Sequence, residues 1–112
     1  MDCIFCKMAN HELAVDFLYE TEQCFVIRDI QPKAKVHLLA IPKVHLVSFN
    51  DITADNSSSL AEIGLAIKTV VRKLEIADSG YRIIINNGEH GGQEVQHLHF
   101  HILGGERLGK MV

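Results

Sequence analysis

Three histidines alternate with large apolar residues in the stretch His97-Leu98-His99-Phe100-His101-Ile102-Leu103. Successive side chains of a β-strand point to opposite faces, so this alternation predicts a strand with the three imidazoles on one face and an apolar second face. Alternate residues lie roughly 6.5 to 7 Å apart along a strand, which lets neighbouring imidazoles serve one site. A single histidine is commonly structural, whereas three in register favour catalysis or metal binding.

The loop that precedes this strand is rich in glycine. It spans residues 87–94 and contains Gly88, Gly91 and Gly92. Glycine permits left-handed backbone conformations and close approach of a ligand, so the N–H groups of such a loop can bind phosphate oxygens without lysine or arginine. The loop and the histidines together predict a phosphate-binding site.

The composition is that of one globular domain. The chain has 112 residues, 47% of them hydrophobic, and a formal net charge of −3. Single domains typically have about 100 to 150 residues, so we expect one domain over 1–112. The negative charge argues against nucleic-acid binding through a general positive field.

Since no apolar run has the roughly 18 residues of a membrane helix and the N-terminus lacks a signal-peptide pattern, we expect no membrane contact. The three cysteines suit a reducing compartment, the cytoplasm.

The remaining sequence predicts an α+β domain with several antiparallel strands. Strand-like segments occur at 16–20, 24–29, 36–41 and 81–86, in addition to 97–103. A long helix is expected to begin between 53 and 59, with Ser59 and Glu62 as a capping box, and a short helical turn is expected near the N-terminus. The buried face of the long helix is predicted from apolar residues at steps of three and four, namely Leu60, Ile63, Ile67, Val70, Val71 and Leu74.

Residues 86–103 resemble the signature of the histidine-triad (HIT) superfamily, in which a Gly-Gln segment precedes three histidines separated by apolar residues. The resemblance extends to Ile4-Phe5, Asp29-Ile30, the segment 37–43 and Leu103-Gly104-Gly105. These segments point to the Hint branch, the nucleotide-binding phosphoramidases, and particularly to its bacterial members. The resemblance implies an antiparallel five-stranded sheet, one long helix and a short N-terminal helix, with the sheet extended across a homodimer.

The resemblance also implies an activity and the residues that perform it. Purine nucleoside 5′-phosphoramidates would be cleaved at the P–N bond, with His99 as the nucleophile on phosphorus, His97 and His101 beside it, and His37 as a fourth histidine. Neutral imidazole can attack phosphorus when its other nitrogen keeps the proton by donating to a carbonyl. The implied nucleotide-binding residues are Asp29, Ile30, Asn86, Gly92, Gln93 and Val95, together with Phe5, Met8 and Leu13 around the base.

A Cys-x-x-Cys pair at Cys3 and Cys6 raises the question of a metal. Such a pair can be two reduced thiols, and a zinc site needs four ligands with tetrahedral geometry. Some HIT proteins hold structural zinc with a similar pair and two distant histidines, and the resemblance implies His45 and His97 as these partners. We expect a structural zinc ion and no catalytic metal.

Three other functions remain open at this level. Three histidines on one face can bind a catalytic metal, as in metal-assisted hydrolysis. The chain can also be a regulatory nucleotide-binding module with incidental hydrolysis, or a dinucleoside polyphosphate hydrolase of the same superfamily. Glu94 is an acidic residue beside the predicted phosphate site, and we expect its side chain to turn outward.

Overall fold

Strand β3 (Val36–Pro42) is the centre of a five-stranded antiparallel sheet in a computed structural model that describes residues 3–111. It pairs with β2 (Cys24–Arg28) on one side and with β5 (Phe100–Gly104) on the other. The short strand β1 (Tyr19–Glu20) lies beyond β2, and β4 (Tyr81–Ile84) lies beyond β5. The strand order is therefore β1-β2-β3-β5-β4, and the predicted α+β class and five-stranded sheet are confirmed.

The long helix α2 (Ser58–Lys73) covers one face of the sheet. Its buried face includes Ile63, Ile67 and Val70, as the spacing of apolar residues predicts. These side chains share one core cluster with Leu98 and Ile102, which point away from the histidines. The apolar face of the histidine stretch is therefore fixed by burial against α2, and the histidines must face the other side.

The short helix α1 (Ile4–Ala9) covers part of the opposite face. Its side chain Phe5 belongs to a second core cluster that also contains Phe25 of β2 and Ile41 of β3. Helix α1 is only six residues long, and a cavity lined by His99 and His101 opens beside it. This opening is where the candidate site lies.

Several predicted boundaries differ from the structure. The strand predicted at 97–103 begins at Phe100, because the Leu98 N–H donates to the Leu46 carbonyl instead of to a neighbouring strand. The outer strands predicted at 16–20 and 81–86 are shorter, and β2 ends at Arg28 rather than at residue 29.

The start of the long helix lies within the predicted range, but its predicted cap is wrong. Helix α2 begins at Ser58, so Ser59 lies inside the helix, and the N-cap residue Ser57 forms no side-chain capping hydrogen bond. A capping box does occur upstream, where Ser48 and Asp51 cap the short 3₁₀ turn Phe49–Asp51. Among the described residues, no helix combines the length and apolar character needed to cross a membrane.

Candidate active site

The three histidines lie on the side of the sheet that faces helix α1. The Phe5 ring packs edge-on against the imidazoles of His97 and His99, with ring centroids 5.7 and 5.2 Å away. The His99 and His101 rings are 5.0 Å apart. All three imidazoles therefore lie on the same side of the sheet, as their alternation in the sequence predicts.

The protonation pattern of His99 follows from one hydrogen bond. Its Nδ1 lies 2.7 Å from the backbone carbonyl of His97, which can only accept. Nδ1 therefore carries the proton, and in the neutral ring Nε2 keeps a free lone pair. His99 also lines the cavity described below, so this lone pair belongs to a side chain with access to a ligand.

A hydrogen-bond chain sets the tautomers of His37 and His101. The backbone N–H of Lys33 donates to His37 Nδ1 at 3.0 Å, so the neutral His37 ring carries its proton on Nε2. This Nε2 lies 2.9 Å from His101 Nδ1 and donates to it. The His101 ring then carries its own proton on Nε2, the donor that remains for the cavity. Asp29 Oδ2 lies 3.4 Å from His37 Nε2 and stabilises positive charge that reaches His37.

The same hydrogen bonds argue against a metal at Asp29, His37 and His101, although their ligand atoms lie within 4.8 Å of one another. A metal on His37 Nε2 would displace the proton from that atom to Nδ1. Nδ1 would then face the Lys33 N–H with a proton of its own, and the Lys33 N–H would lose its acceptor. The cluster is better suited to moving a proton than to holding a cation.

Burial lowers the pKa of His37 and of His101 below that of an exposed histidine. For His101, the neighbouring rings of His99 and His37 lower the pKa further, while the carboxylates of Asp29 and Glu94 oppose the shift. Both rings are therefore predominantly neutral at pH 7, as the hydrogen-bond chain requires.

These lowered pKa values predict that acidification destabilises the fold. As the pH falls below about 6.5, the unfolded chain binds protons that the folded histidines do not, so the free energy of unfolding decreases. Urea unfolding at pH 7.5 and pH 5.5 should show this loss, and the loss should be smaller in His101→Gln. In His90→Gln, which alters an exposed histidine, the loss should equal that of the wild type. A wild-type protein that is equally stable at both pH values would contradict the prediction.

A cavity of about 340 Å³ opens beside His99 and His101. Its lining includes the apolar residues Ile4, Phe5, Met8, Ile27 and Leu39. Asp29, Asn86, Gly92, Glu94 and Val95 also contribute to the wall. Apolar side chains for a base, a carboxylate for a ribose and imidazoles for a phosphate make this cavity suited to a nucleotide.

Three further residues are predicted from the sequence to bind the nucleotide, and only one of them, Ile30, lines the cavity. Ile30 is 94% exposed and lines the rim of the cavity. Leu13 is 39% exposed and is absent from its lining. Gln93 is buried beneath the loop, where its side chain accepts from the Gly88 N–H and donates to the Val95 carbonyl. Gln93 therefore supports the loop instead of lining the cavity.

The glycines hold the loop in a shape that other residues would strain. Gly88 and Gly92 have positive φ angles of 71° and 77°. A Cβ at Gly91 would overlap the backbone oxygen of Asn87, and the Asn86 side chain donates to the Gly91 carbonyl at 2.7 Å. Within residues 3–111, the N–H of Val95 has no protein acceptor, so it can donate to a ligand oxygen.

A second cluster, formed by Cys3, Cys6, His45 and His97, lies next to the active site. His97 Nε2 donates to the Pro42 carbonyl at 2.8 Å, so its Nδ1 lone pair faces the other three side chains. His97 is fully buried and lines no part of the cavity, while its carbonyl fixes His99. His97 therefore connects the Cys/His cluster to His99 of the active site.

The distances in this cluster fit a tetrahedral metal site. The two Nδ1 atoms are 3.1 Å apart, and the sulfur–nitrogen distances are 3.2, 3.4 and 3.6 Å. Zinc bonds of ~2.05 Å to nitrogen and ~2.3 Å to sulfur give tetrahedral edges of about 3.3 and 3.6 Å. Burial raises the pKa of Cys6, so a cation is needed to favour its thiolate. The four residues can therefore hold a metal ion.

Two functional groups of this site belong to the backbone, and sequence reasoning missed them. They are the Lys33 N–H, which sets the His37 tautomer, and the Pro42 carbonyl, which sets that of His97. Every residue has such groups, so no residue type signals them. The lining residue Ile27 had a detectable signal, since it precedes Asp29 by two positions and alternate residues of the strand predicted at 24–29 share a face.

Comparisons with known proteins identify the family of the chain. The sequence profile of the HIT domain matches residues 10–108. The purine nucleoside phosphoramidase of Escherichia coli K12 is 37% identical over 111 residues, which cover 99% of this chain and 93% of that protein. An uncharacterized HIT-like protein of Chlamydia trachomatis is 43% identical over 111 residues, 99% of each chain.

Solved structures share the fold. A histidine triad protein from Clostridium difficile superposes with a TM-score of 0.95 at 38% identity, covering 100% of this chain and 97% of that one. A HIT family hydrolase from Clostridium thermocellum gives a TM-score of 0.95 at 43% identity, covering 99% and 97% of the two chains.

Proposed function

The chain belongs to the HIT domain family, and from this premise we propose that it cleaves the P–N bond of purine nucleoside 5′-phosphoramidates to give a nucleoside monophosphate and an amine. The observation that carries the proposal is the His99 Nδ1–H bond to the His97 carbonyl, which leaves Nε2 as a nucleophile beside the cavity. A relative named purine nucleoside phosphoramidase supports the choice of P–N bond and of base.

In the first proposed step, His99 Nε2 forms a bond to phosphorus and the bond from phosphorus to the amine breaks. The electron pair of the broken bond stays on the amine nitrogen, which needs a proton to leave. His101 Nε2–H is the proton donor, because the hydrogen bond from His37 occupies its other nitrogen. The anionic substrate and Asp29 favour one extra proton on the pair formed by His37 and His101, and loss of the His101 Nε2 proton to the amine returns this pair to its neutral state.

Negative charge on the phosphoryl oxygens needs donors that are already in position. The Val95 N–H and the loop around Gly92 supply them without a charged side chain. Asp29, whose carboxylate belongs to a residue that lines the cavity, is proposed to accept from the ribose hydroxyls. Its other oxygen, Oδ1, already accepts from the Gln31 N–H at 2.8 Å, which holds the carboxylate in place.

In the second proposed step, water oxygen bonds to phosphorus and the bond from phosphorus to Nε2 breaks. One water proton returns to the hydrogen-bond chain of His101 and His37, and the electron pair returns to His99 Nε2. The products are the nucleoside monophosphate and the neutral histidine. The reaction therefore consumes one water molecule and restores every side chain.

Zinc is the proposed occupant of the cluster formed by Cys3, Cys6, His45 and His97. The donor set of two sulfur and two nitrogen atoms suits zinc and leaves no ligand position for substrate. Its proposed contribution is structural, since it would hold helix α1 against the segment that carries His99.

The proposed protein partner is a second copy of the chain. Strand β4 lies at the edge of the sheet, with Tyr81 and Ile83 exposed by 38% and 46%. An unpaired edge strand with exposed apolar residues favours pairing with another strand, and pairing two β4 strands would extend the sheet across a dimer.

The proposed location is the cytoplasm, where the free thiols of the cysteines stay reduced.

The proposed bond specificity predicts a preference between two substrates. Wild-type protein should hydrolyse adenosine 5′-phosphoramidate with a higher kcat/KM than diadenosine tetraphosphate, measured by release of AMP and of ATP. The opposite order would identify a dinucleoside polyphosphate hydrolase. Tight AMP binding without turnover of either compound would indicate a regulatory nucleotide-binding module.

A further inference from the structure

A second cavity of about 430 Å³ adjoins the nucleotide cavity at His101. The two cavities share Asp29, Gln31, Asn86 and Glu94 in addition to His101. The second cavity includes Leu103 and Met111 in its wall and has no lining residue from helix α1. A nucleotide held as proposed would direct its leaving group past His101 into this space, because the proton donor for the amine must lie next to the amine.

Glu94 forms part of the wall of both cavities at the point where they meet. Its side chain is exposed, and its carboxylate acts on His101 through space. In the part of the chain that the structure describes, Glu94 forms no hydrogen bond or ion pair. The carboxylate is therefore available to a ligand that enters the second cavity.

The charges around this cavity give it a negative balance. Asp29 and Glu94 contribute two carboxylates, and Lys33 contributes one ammonium group, whose Nζ donates to the Gln31 carbonyl at 3.3 Å. With His37 and His101 neutral, one negative charge remains uncompensated. Such a wall repels an anionic leaving group and attracts a cationic one.

We propose that Glu94 selects nucleotide conjugates whose amine portion carries a second positive charge. This inference rests on the proposed phosphoramidase function and adds the class of leaving group. The carboxylate would attract a distal ammonium group as the conjugate binds, so the preference should be expressed mainly in KM. His101 still donates the proton to the amine nitrogen that is bonded to phosphorus.

The test uses three AMP phosphoramidates with amines of similar size and different charge. The amines are 2-(trimethylammonio)ethylamine, 3,3-dimethylbutylamine and β-alanine, which carry a distal positive charge, no charge and a negative charge. Each is assayed with the wild type, with Glu94→Gln and with the matched control Glu89→Gln. Glu89 is an exposed glutamate of the same loop that lines neither cavity, so its variant removes the same charge elsewhere.

In the wild type, kcat/KM should fall from the cationic to the neutral to the anionic conjugate. Glu94→Gln should reduce the ratio of cationic to neutral kcat/KM by about three- to tenfold, the change for unit charges about 6 Å apart at a dielectric constant of about 40 to 80. Glu89→Gln should retain the wild-type ratio. The wild-type preference should also shrink at high salt, because an exposed charge is screened.

Two results would overturn the inference, and they are distinguishable. Cleavage of all three conjugates with a ratio that Glu94→Gln leaves unchanged would refute the role of Glu94 and leave the phosphoramidase function intact. Failure of the wild type to cleave any of the three would refute both.

Discussion

Replacing His99 with alanine should lower kcat/KM for adenosine 5′-phosphoramidate by about 10⁴-fold or more, because no other group can form the bond to phosphorus. The expectation rests on the tautomer of His99, whose Nδ1 donates to the His97 carbonyl and leaves Nε2 free. No neighbouring imidazole can substitute. The side chain of His97 is buried in the Cys/His cluster, and His101 already uses Nδ1 as an acceptor.

Three controls separate loss of the nucleophile from loss of the fold. His99→Ala should retain the circular dichroism spectrum of the wild type and should still bind AMP. His90→Ala, which removes an exposed histidine of the adjacent loop, should retain wild-type turnover. Turnover of the wild type should persist after chelation. Turnover that chelation abolishes at once, with the fold intact, would instead indicate a metal-dependent hydrolase.

Loss of the metal in the Cys/His cluster should produce the largest change in stability. Purified protein should contain about one equivalent of zinc, and Cys6→Ser should contain none, because Cys6 lies 3.2 Å from His45 Nδ1 and 3.6 Å from His97 Nδ1. A ligand that binds only the folded state adds about 4 kcal/mol when its free concentration is about 1,000 times its Kd. A decrease of this order in the free energy of unfolding is expected for Cys6→Ser.

The third cysteine provides the matched control. Cys24 is buried in the core beneath α2 and lies outside the metal cluster, so Cys24→Ala should keep one equivalent of zinc. Its own loss of stability should come from packing and should not depend on a chelator. Wild-type protein that is free of metal and as stable as the zinc-loaded form would contradict the assignment. The measurement is metal content by mass spectrometry together with urea unfolding.

The sequence predicts those parts of the site that depend on local periodicity. Alternation around Phe100 determines which side chains face α2 and which face α1, because burial of one face excludes a shift of one residue. The spacing of Ile63, Ile67 and Val70 likewise predicts the buried face of α2. Both features depend on residues a few positions apart in the sequence, and both are confirmed.

Features that depend on contacts between distant segments were less predictable. The strand begins at Phe100 because Leu98 bonds to Leu46, a residue 52 positions earlier in the chain. The tautomers of His37 and His97 depend on the Lys33 N–H and the Pro42 carbonyl, which residue types do not identify. The position of Glu94 between two cavities depends on how the loop folds over β5.

The Cys/His cluster was predictable from the sequence only in part. Cys3 and Cys6 are close in the sequence, and the turn of α1 brings them together, with the Cys6 N–H donating to Cys3 Sγ at 3.5 Å. Their convergence with His45 and His97 could be inferred only from the resemblance to other HIT proteins. Periodicity contains no information about contacts across 39 or 94 residues.

The most direct test of the central claim is detection of a covalent nucleotide on His99. The wild type is mixed rapidly with adenosine 5′-phosphoramidate, quenched in alkali, digested and analysed by mass spectrometry. A peptide that contains His99 should gain the mass of one adenylyl group, AMP less water, and this mass should be absent with His99→Ala. Rapid AMP release by the wild type with no adduct at any time point, or with an adduct on a different residue, would contradict the account.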